Sequence, residues 1–279
     1  MRFWRRKSRG EESAGEEEPQ VEGEDLGDQS EPEFEDAPPK LRTSWRQVAV
    51  LIPCYNTGPA ILDVVTDALQ HAGLVLCIDD GSTDDTGLWI RKSGAEYIGW
   101  PRNRGKGHGL VAGFRYLWER PKWDILITMD GDGQHLADDM PYLIEAYEET
   151  GADIVLGSRD FAAPDVPLIR RWSNRRSSRW IGKKAGLPLS DFQSGYRLFT
   201  RNAVRLLTPR LSGGLFELET TMLILADRLG LRITETPITT VYNKATSRRS
   251  SWRAFRDSRR IYRAVKKTLR ECAYFVGKP

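Results

Sequence analysis

The chain has 279 residues, 39% of them hydrophobic and 29% charged, enough for a sizeable core in one or two domains. Formal net charge is only +3, yet residues 11–36 hold thirteen acidic side chains and no Lys or Arg, while residues 242–279 hold twelve basic against two acidic. No run approaches the roughly 20 apolar residues of a membrane-spanning helix. The basic start MRFWRRKSRGEE lacks the apolar stretch of a secretory signal, and three scattered cysteines (Cys54, Cys77, Cys272) form neither a disulfide framework nor a zinc site. A cytosolic chain with peripheral membrane contact at most is expected.

Taken in order, residues 1–43 read as a disordered acidic tail, with too little apolar surface to offset the entropy of ordering. From residue 46 short apolar runs read as buried strands: VAVLI (48–52), LVLCI (74–78), DILITM (124–129) and DIVLG (153–157). Helical patterns near 59–71, 84–93, 106–119 and 139–149 separate them. Alternation of this kind predicts an α/β fold with a mostly parallel, Rossmann-like sheet flanked by helices, over residues 44–241. Ligands of such sheets bind beyond the carboxyl ends of the strands, so the residues after each run are the ones to read for chemistry.

Those residues are polar and mostly acidic. Pro53-Cys54-Tyr55-Asn56 follows the first run, Asp79-Asp80-Gly81-Ser82-Thr83-Asp84-Asp85-Thr86 the second, and Asp130-Gly131-Asp132-Gly133-Gln134-His135 follows DILITM. An acidic cleft suits a nucleotide base and ribose together with a divalent cation. Ser82 to Asp85 also fit a turn and helix cap. Asp130 and Asp132, two carboxylates on one tight turn, suit Mg²⁺ or Mn²⁺, which take oxygen ligands and share them with substrate phosphates; Gln134 adds an amide oxygen. The plainer alternative is an Asx turn without metal. His135 reads as a loop residue. Asn103-Arg104-Gly105-Lys106-Gly107 opens a helix that can cradle phosphate, but neither the P-loop nor the dinucleotide spacing is present.

The ordered set PCYN, DDGSTDDT, NRGKG, DGDGQ, GSR (157–159) and DFQSGYR (191–197) resembles the family 2 glycosyltransferases of GT-A fold. Within them it is most similar to the dolichol-phosphate mannosyltransferase and polyprenyl-phosphate glucosyltransferase branch, over roughly residues 46–265. The resemblance implies an inverting transfer of a hexose from a nucleotide diphospho-sugar, of the UDP-glucose or GDP-mannose type, to polyprenyl phosphate at the cytoplasmic membrane face. It implies a nucleotide-sugar pocket of Pro53, Tyr55, Asn56, Ile78, Asp79, Asp80, Lys106 and Asp130, and metal ligands Asp130, Asp132 and Gln134. Arg159 would face a phosphate. Asp191 would be the base toward a hydroxyl acceptor and otherwise an orienting group for neighbours such as Arg197. Tyr196 stands where the family pattern has Phe. Glu217 and Glu219 are lesser base candidates.

Residues 168–184 hold seven basic residues and no acid, with Trp172 and Trp180 interleaved. The resemblance places the acceptor loop here, with Arg170, Arg171, Arg175 and Arg176 gripping the lipid phosphate and the tryptophans suited to a membrane interface. In residues 242–279 the resemblance implies a basic loop in which Arg248, or else Arg249, closes over the phosphates, and this loop leads into an amphipathic helix. Its apolar stripe includes Trp252, Phe255, Tyr262, Val265 and Leu269 and reads as a membrane-surface element. Packing of that stripe on the catalytic domain is the alternative. Some branch members carry C-terminal spanning helices, so a separate membrane protein or flippase is an implied partner. A hydroxyl acceptor is the competing enzymatic reading. A non-catalytic lipid- or nucleic-acid-binding protein leaves DDGS and DGD without a purpose, so no nucleic-acid partner is expected.

Overall fold

A computed structural model describes residues 41–120, 122–160, 168–239 and 254–276, all within the unit Pro38–Pro279. The acidic tail up to residue 40 and the loop holding Arg248 and Trp252 lie outside the described residues. The strands are β1 (Val48–Cys54), β2 (Leu74–Asp79), β3 (Glu96–Gly99), β4 (Ile125–Thr128), β5 (Ile154–Arg159), β6 (Arg197–Thr200) and β7 (Ile233–Ile238). The helices are α1 (Ala60–Gln70), α2 (Thr86–Lys92), α3 (Lys106–Trp118), α4 (Met140–Thr150), α5 (Leu168–Ala185), α6 (Arg201–Leu207), α7 (Glu217–Arg228) and α8 (Ala254–Val276).

These strands form one seven-stranded sheet in the order β3-β2-β1-β4-β6-β5-β7. All neighbours run parallel except β6, which is antiparallel to both β4 and β5. β1 is central and alternates between two cores. Ala49 and Leu51 face Leu110, Phe114 and Leu117 of α3, with Met222 and Leu223 of α7 in the same cluster. Val48, Val50 and Ile52 face Ile61 and Val65 of α1 and Leu143 and Ile144 of α4. Burial on both faces explains why the central strands read as continuous apolar runs. Pro53 lacks an N–H, but the β1–β4 pairing already ends at Leu51↔Thr128, so the proline interrupts no bond of that ladder.

The chain turns from β1 to β2 on one side and returns to β4 on the other. The carboxyl ends of β1 and β4 therefore flank a topological switch point, the place where open α/β sheets bind ligands. PCYN, DDGS and DGD all emerge at this edge.

Two expectations about the ends change. The tail does not extend to residue 43: Arg42 and Thr43 are fastened to Glu148 of α4, whose carboxylate accepts the Arg42 N–H at 3.0 Å and the Thr43 N–H at 2.6 Å. More consequentially, the described part of the α8 stripe packs on the catalytic domain. Ile261, Val265 and Cys272 are buried, the first two within the core cluster that includes α7. Trp180 of α5 meets Tyr262 of α8 edge-on, with ring centroids 4.4 Å apart. A stripe spaced three and four residues apart serves either purpose, and the exposed side of α7 offered it a partner. Exposed on α8 are Arg259, Arg260, Arg263, Lys266, Lys267 and Arg270. No described helix is long and apolar enough to cross a membrane.

Candidate active site

The first loop of the site is held by side chains acting on backbone. Asn56, at a positive φ of 51°, accepts the Thr83 N–H on Oδ1 at 2.8 Å and donates its own N–H to Ser82 Oγ at 2.9 Å. PCYN and DDGST are thereby fastened together. Asp79 accepts the Ser82 N–H at 2.9 Å and the Tyr97 hydroxyl at 3.3 Å. Asp80 accepts the N–H groups of Arg104 and Gly105, each at 2.7 Å, one on either oxygen. Burial pushes the Asp80 carboxyl above its ordinary value despite those donors. Asp80 therefore anchors the NRGKG loop from below. Ile78 is fully buried and, with Pro53, packs toward Gly109 of α3, so it supports the expected nucleoside pocket rather than lining it. Tyr55 stands exposed at the cleft.

The NRGKG glycines have a packing reason. A side chain at Gly107 would lie 2.8 Å from the Gly214 carbonyl oxygen, and one at Gly105, where φ is +104°, would strike Leu215. These glycines admit the 213–215 segment, which precedes α7. Lys106 turns inward. Its Nζ lies 2.5 Å from Asp130 Oδ1 and 2.9 Å from Glu219 Oε1 of α7. Burial opposes the charged amine, but the two carboxylates prevail and raise its pKa above the ordinary lysine value. Gly195, from DFQSGYR, closes over this trio: a Cβ there would sit 2.7 Å from Asp130 Oδ1 and 2.8 Å from Lys106 Nζ.

On the DGD turn the two carboxylates differ. Burial would raise Asp130, but Lys106 and the neighbouring His135 draw it down to about 2. Asp132 is pushed up to about 6, first by burial and then by the charge of Asp130. Gln134 donates both its N–H, at 3.1 Å, and its side-chain amide, at 3.0 Å, to Asp132, so it appears here as a partner of the carboxylate. His135 Nδ1 accepts the Asp130 N–H at 3.0 Å and its ring stacks on Tyr196 at 4.9 Å. Burial lowers its pKa to about 4, so it is a neutral structural residue at pH 7.

Across the cleft, Arg159 grips Asp191 in a fork, Nε to Oδ2 at 2.7 Å and Nη2 to Oδ1 at 3.0 Å. Asp191 is fully buried and also accepts the Gln193 N–H at 3.1 Å. A carboxylate held in this way orients a guanidinium and is poorly placed to remove a proton. Its partner is Arg159, not the expected Arg197. Arg197 is itself buried and donates to the carbonyls of Ser194, Glu219 and Phe192. Next to Arg159 lies a cavity of about 270 Å³ bounded by Asp160, by Arg175, Ser178 and Arg179 of α5, and by Leu189 and Ser190. Arg179 stands one helical turn from Arg175, a spacing that the reading of the basic run left unused. Arg176 is exposed on the same helix. Arg170 and Arg171 lie in its first turn, with side chains outside the described ones.

Glu219, a lesser base candidate by sequence, stands beside Lys106 instead. The signal was the apolar spacing around it, which marks an inward-facing position on α7. Glu217, also weighed as a base, is part-buried and lies 3.8 Å from Arg260 of α8.

The sequence profile of "Glycosyl transferase family 2" matches residues 49–207. The chain belongs to that family. This glycosyltransferase is 32% identical over 209 residues to the undecaprenyl-phosphate mannosyltransferase of Micrococcus luteus, covering 70% of this chain and 84% of the other. It is 28% identical over 227 residues to the UDP-N-acetylglucosamine–dolichyl-phosphate N-acetylglucosaminyltransferase of Methanococcus voltae, covering 73% and 89%. Its fold resembles glucosyl-3-phosphoglycerate synthase from Mycobacterium tuberculosis in complex with phosphoglyceric acid, with a TM-score of 0.61, 19% identity and 80% of each chain covered. The same synthase in complex with Mn²⁺, UDP and glucosyl-3-phosphoglycerate gives a TM-score of 0.58 at 19% identity, again over 80% of each chain. The expected GT-A arrangement is thus borne out at the level of fold.

Proposed function

We propose that this glycosyltransferase moves a hexose from a nucleotide diphospho-sugar to polyprenyl phosphate at the cytoplasmic face of the membrane. The observation that carries the reading is the small cavity between β5 and α5, where Arg159, Arg175 and Arg179 converge. A phosphate acceptor is anionic at neutral pH and needs cations to hold it. A hydroxyl acceptor needs a general base, and both oxygens of Asp191 are taken by Arg159. The relatives named for undecaprenyl and dolichyl phosphate point the same way. In this reading Asp191 positions Arg159, which faces the acceptor phosphate, and the expected set of Arg175 and Arg176, with Arg170 and Arg171, gains Arg179.

On the donor side, Asp130 and Asp132 would hold Mg²⁺ or Mn²⁺. The donor set fits: both are oxygen ligands on one turn, and Asp132, raised first by burial and then by the Asp130 charge, is a carboxylate whose charged form a divalent ion would favour. Among the described residues no group of three or more His, Cys, Asp and Glu could hold a metal ion by itself; substrate phosphates would complete the ligand shell. The bound ion would supply charge stabilisation to the departing nucleoside diphosphate. Tyr55, Asn56, Asp79 and Asp80 form the nucleoside side of the cleft, with Pro53 and Ile78 behind them. By the family resemblance, Arg248 would close over the phosphates.

Attachment to the membrane is assigned to charge. Arg259, Arg263, Lys266 and Arg270 recur at four-, three- and four-residue spacing on the exposed side of α8. Each base near an anionic surface contributes about 1 kcal/mol, screened by salt. A separate membrane protein or flippase would carry the product onward.

The test is transfer of radiolabel from UDP- and GDP-sugars into a lipid extract. Label in an organic-extractable, mild-acid-labile product supports the reading; label only in water-soluble product favours the hydroxyl acceptor. Arg175→Ala with Arg179→Ala is expected to raise the lipid KM far more than the donor KM. Arg263→Glu with Lys266→Glu and Arg270→Glu is expected to release the enzyme from anionic vesicles without changing Tm.

A further inference from the structure

The Lys106 ammonium is confined between two carboxylates from distant parts of the chain, Asp130 at 2.5 Å and Glu219 at 2.9 Å. Its side chain is 16% exposed and that of Glu219 6% exposed. Gly195 approaches so closely that nothing larger fits beside them. Glu219 sits in the first turn of α7, faces inward, and directs an oxygen at this lysine. The Asp130 oxygen that Lys106 occupies belongs to the same turn as Asp132, the pair proposed above to hold a divalent cation.

We infer that Lys106 is the resident counter-cation of the Asp130–Asp132 turn, so that a divalent ion binds weakly until a nucleoside diphosphate joins it, and that Glu219 is the positioning residue that receives the ammonium when it eases away from Asp130. The inference rests on the proposed metal role of that turn. Its physical basis is simple. An ammonium within hydrogen-bond reach of Asp130 repels a second cation at the same carboxylate, in a site where burial weakens solvent screening. A pyrophosphate brings negative charge of its own, shares the divalent ion, and offers Lys106 another anion. Glu219 never needs to touch the metal. It gives the ammonium a second anchor, so that Lys106 can ease away from Asp130 without being left unpaired in a buried place. The arrangement favours uptake of the ion together with the nucleotide over filling of the site by the ion alone.

The experiment is Mn²⁺ binding to the purified protein, read from the paramagnetic signal of free Mn²⁺, with and without UDP or GDP. Lys106→Met keeps the side-chain length and removes the charge. It is expected to bind Mn²⁺ at least tenfold more tightly than the parent without nucleotide, and to gain less from adding nucleotide. Glu219→Gln, which leaves Lys106 with Asp130 alone, is expected to bind Mn²⁺ more weakly than the parent. In the Lys106→Met background the Glu219→Gln change is expected to lose most of that effect, because its action passes through the lysine. The double variant also removes one of the two carboxylates that Lys106→Met leaves facing each other, so it carries the test if the single variant does not fold. Mn²⁺ affinity that is unchanged or lower in both variants lacking Lys106 overturns the inference. So does a Glu219→Gln penalty that persists in full without Lys106, which would make Glu219 a ligand. Asp132→Asn separates the two levels. If it abolishes Mn²⁺ binding while removal of Lys106 changes nothing, the metal reading stands and this inference falls. If no variant takes up Mn²⁺ even with nucleotide, both fall.

Discussion

At the amino-terminal edge of the sheet, Asp124, Glu148 and Asp153 border a cavity of about 550 Å³. At the opposite edge Asp79, Asp80, Asp130, Asp132 and Asp191 gather around the switch point. Counted as carboxylates, the two edges look alike. Their partners distinguish them. Asp124 is capped by the Gln47 amide at 2.5 Å, Asp153 by the Arg232 N–H at 3.0 Å, and Glu148 by the N–H groups of Arg42 and Thr43. These acids fasten loops. At the carboxyl edge Asp80 does the same, but Asp130 and Asp132 are crowded against each other and against a buried lysine. Asp132 is raised first by burial and then by the Asp130 charge, and we take that perturbed pair as the mark of the chemical edge. Changes at the two edges should therefore separate into losses of turnover and losses of stability.

The largest effect is expected from Asp132→Asn. If Asp130 and Asp132 hold the cation, turnover falls by on the order of 100-fold or more, and chelator does the same to the parent until Mg²⁺ or Mn²⁺ is restored. The fold should gain rather than lose. The folded pKa of Asp132, about 6, lies above the ordinary aspartate value, so the stability linked to this group is present at low pH and lost as pH rises toward 6. At pH 7 the neutral variant should be more stable than the metal-free parent by about 1–2 kcal/mol, and the gap should close as the pH falls below about 4. Thermal melts across that range check it. A variant that loses both turnover and stability would place Asp132 with the structural acids.

Asp191→Asn should affect both properties. It removes the charge of the fully buried carboxylate that holds the Arg159 guanidinium in a fork. Breaking a buried pair from one side costs about 3 kcal/mol, readable in denaturant midpoints. The lipid KM should rise more than the donor KM, because Arg159 loses its orientation. A pH–rate profile whose acid limb survives the substitution would confirm that Asp191 is not the base.

How much of this was legible depends on where each residue's partner lies. β1, β2, β4 and β5 are buried on both faces, so their apolar runs stood out, and DDGS and DGD marked the edge that follows them. β6 is only RLFT and includes the buried Arg197; β3 is a four-residue edge strand; β7 is largely half-exposed and contains Pro237. None of the three has a pattern that announces a strand. The apolar stripe of α8 was visible, but a stripe does not say what covers it, and its described part packs on the catalytic domain. In the site, the DGD turn is local and was readable. The bonds from Lys106 to Glu219 and from Arg159 to Asp191 join residues far apart in the chain, and nothing in their spacing reveals them.

The smallest effect is expected at the structural edge, from Glu148→Gln. Its carboxylate accepts the Arg42 N–H at 3.0 Å and both the N–H and the hydroxyl of Thr43 at 2.6 Å. The Arg42 side chain is 78% exposed, so the 3.5 Å ion pair itself adds little. Burial works against the charged form, but these hydrogen bonds outweigh it and hold the Glu148 carboxyl below its ordinary value. A depressed carboxylate contributes stability that is present above the unfolded value, about 4.3, and is lost as pH falls through the folded one. Glutamine keeps one acceptor oxygen and lacks the charge. The variant should therefore be less stable than the parent by about 1 kcal/mol at pH 7, with the difference shrinking as the medium becomes more acidic than about pH 4. Turnover with saturating substrates should be unchanged, since Glu148 lies at the edge opposite the cleft. A fall in turnover without a fall in Tm would mean that the two edges are coupled through β4, and the division between structural and chemical carboxylates would have to be redrawn.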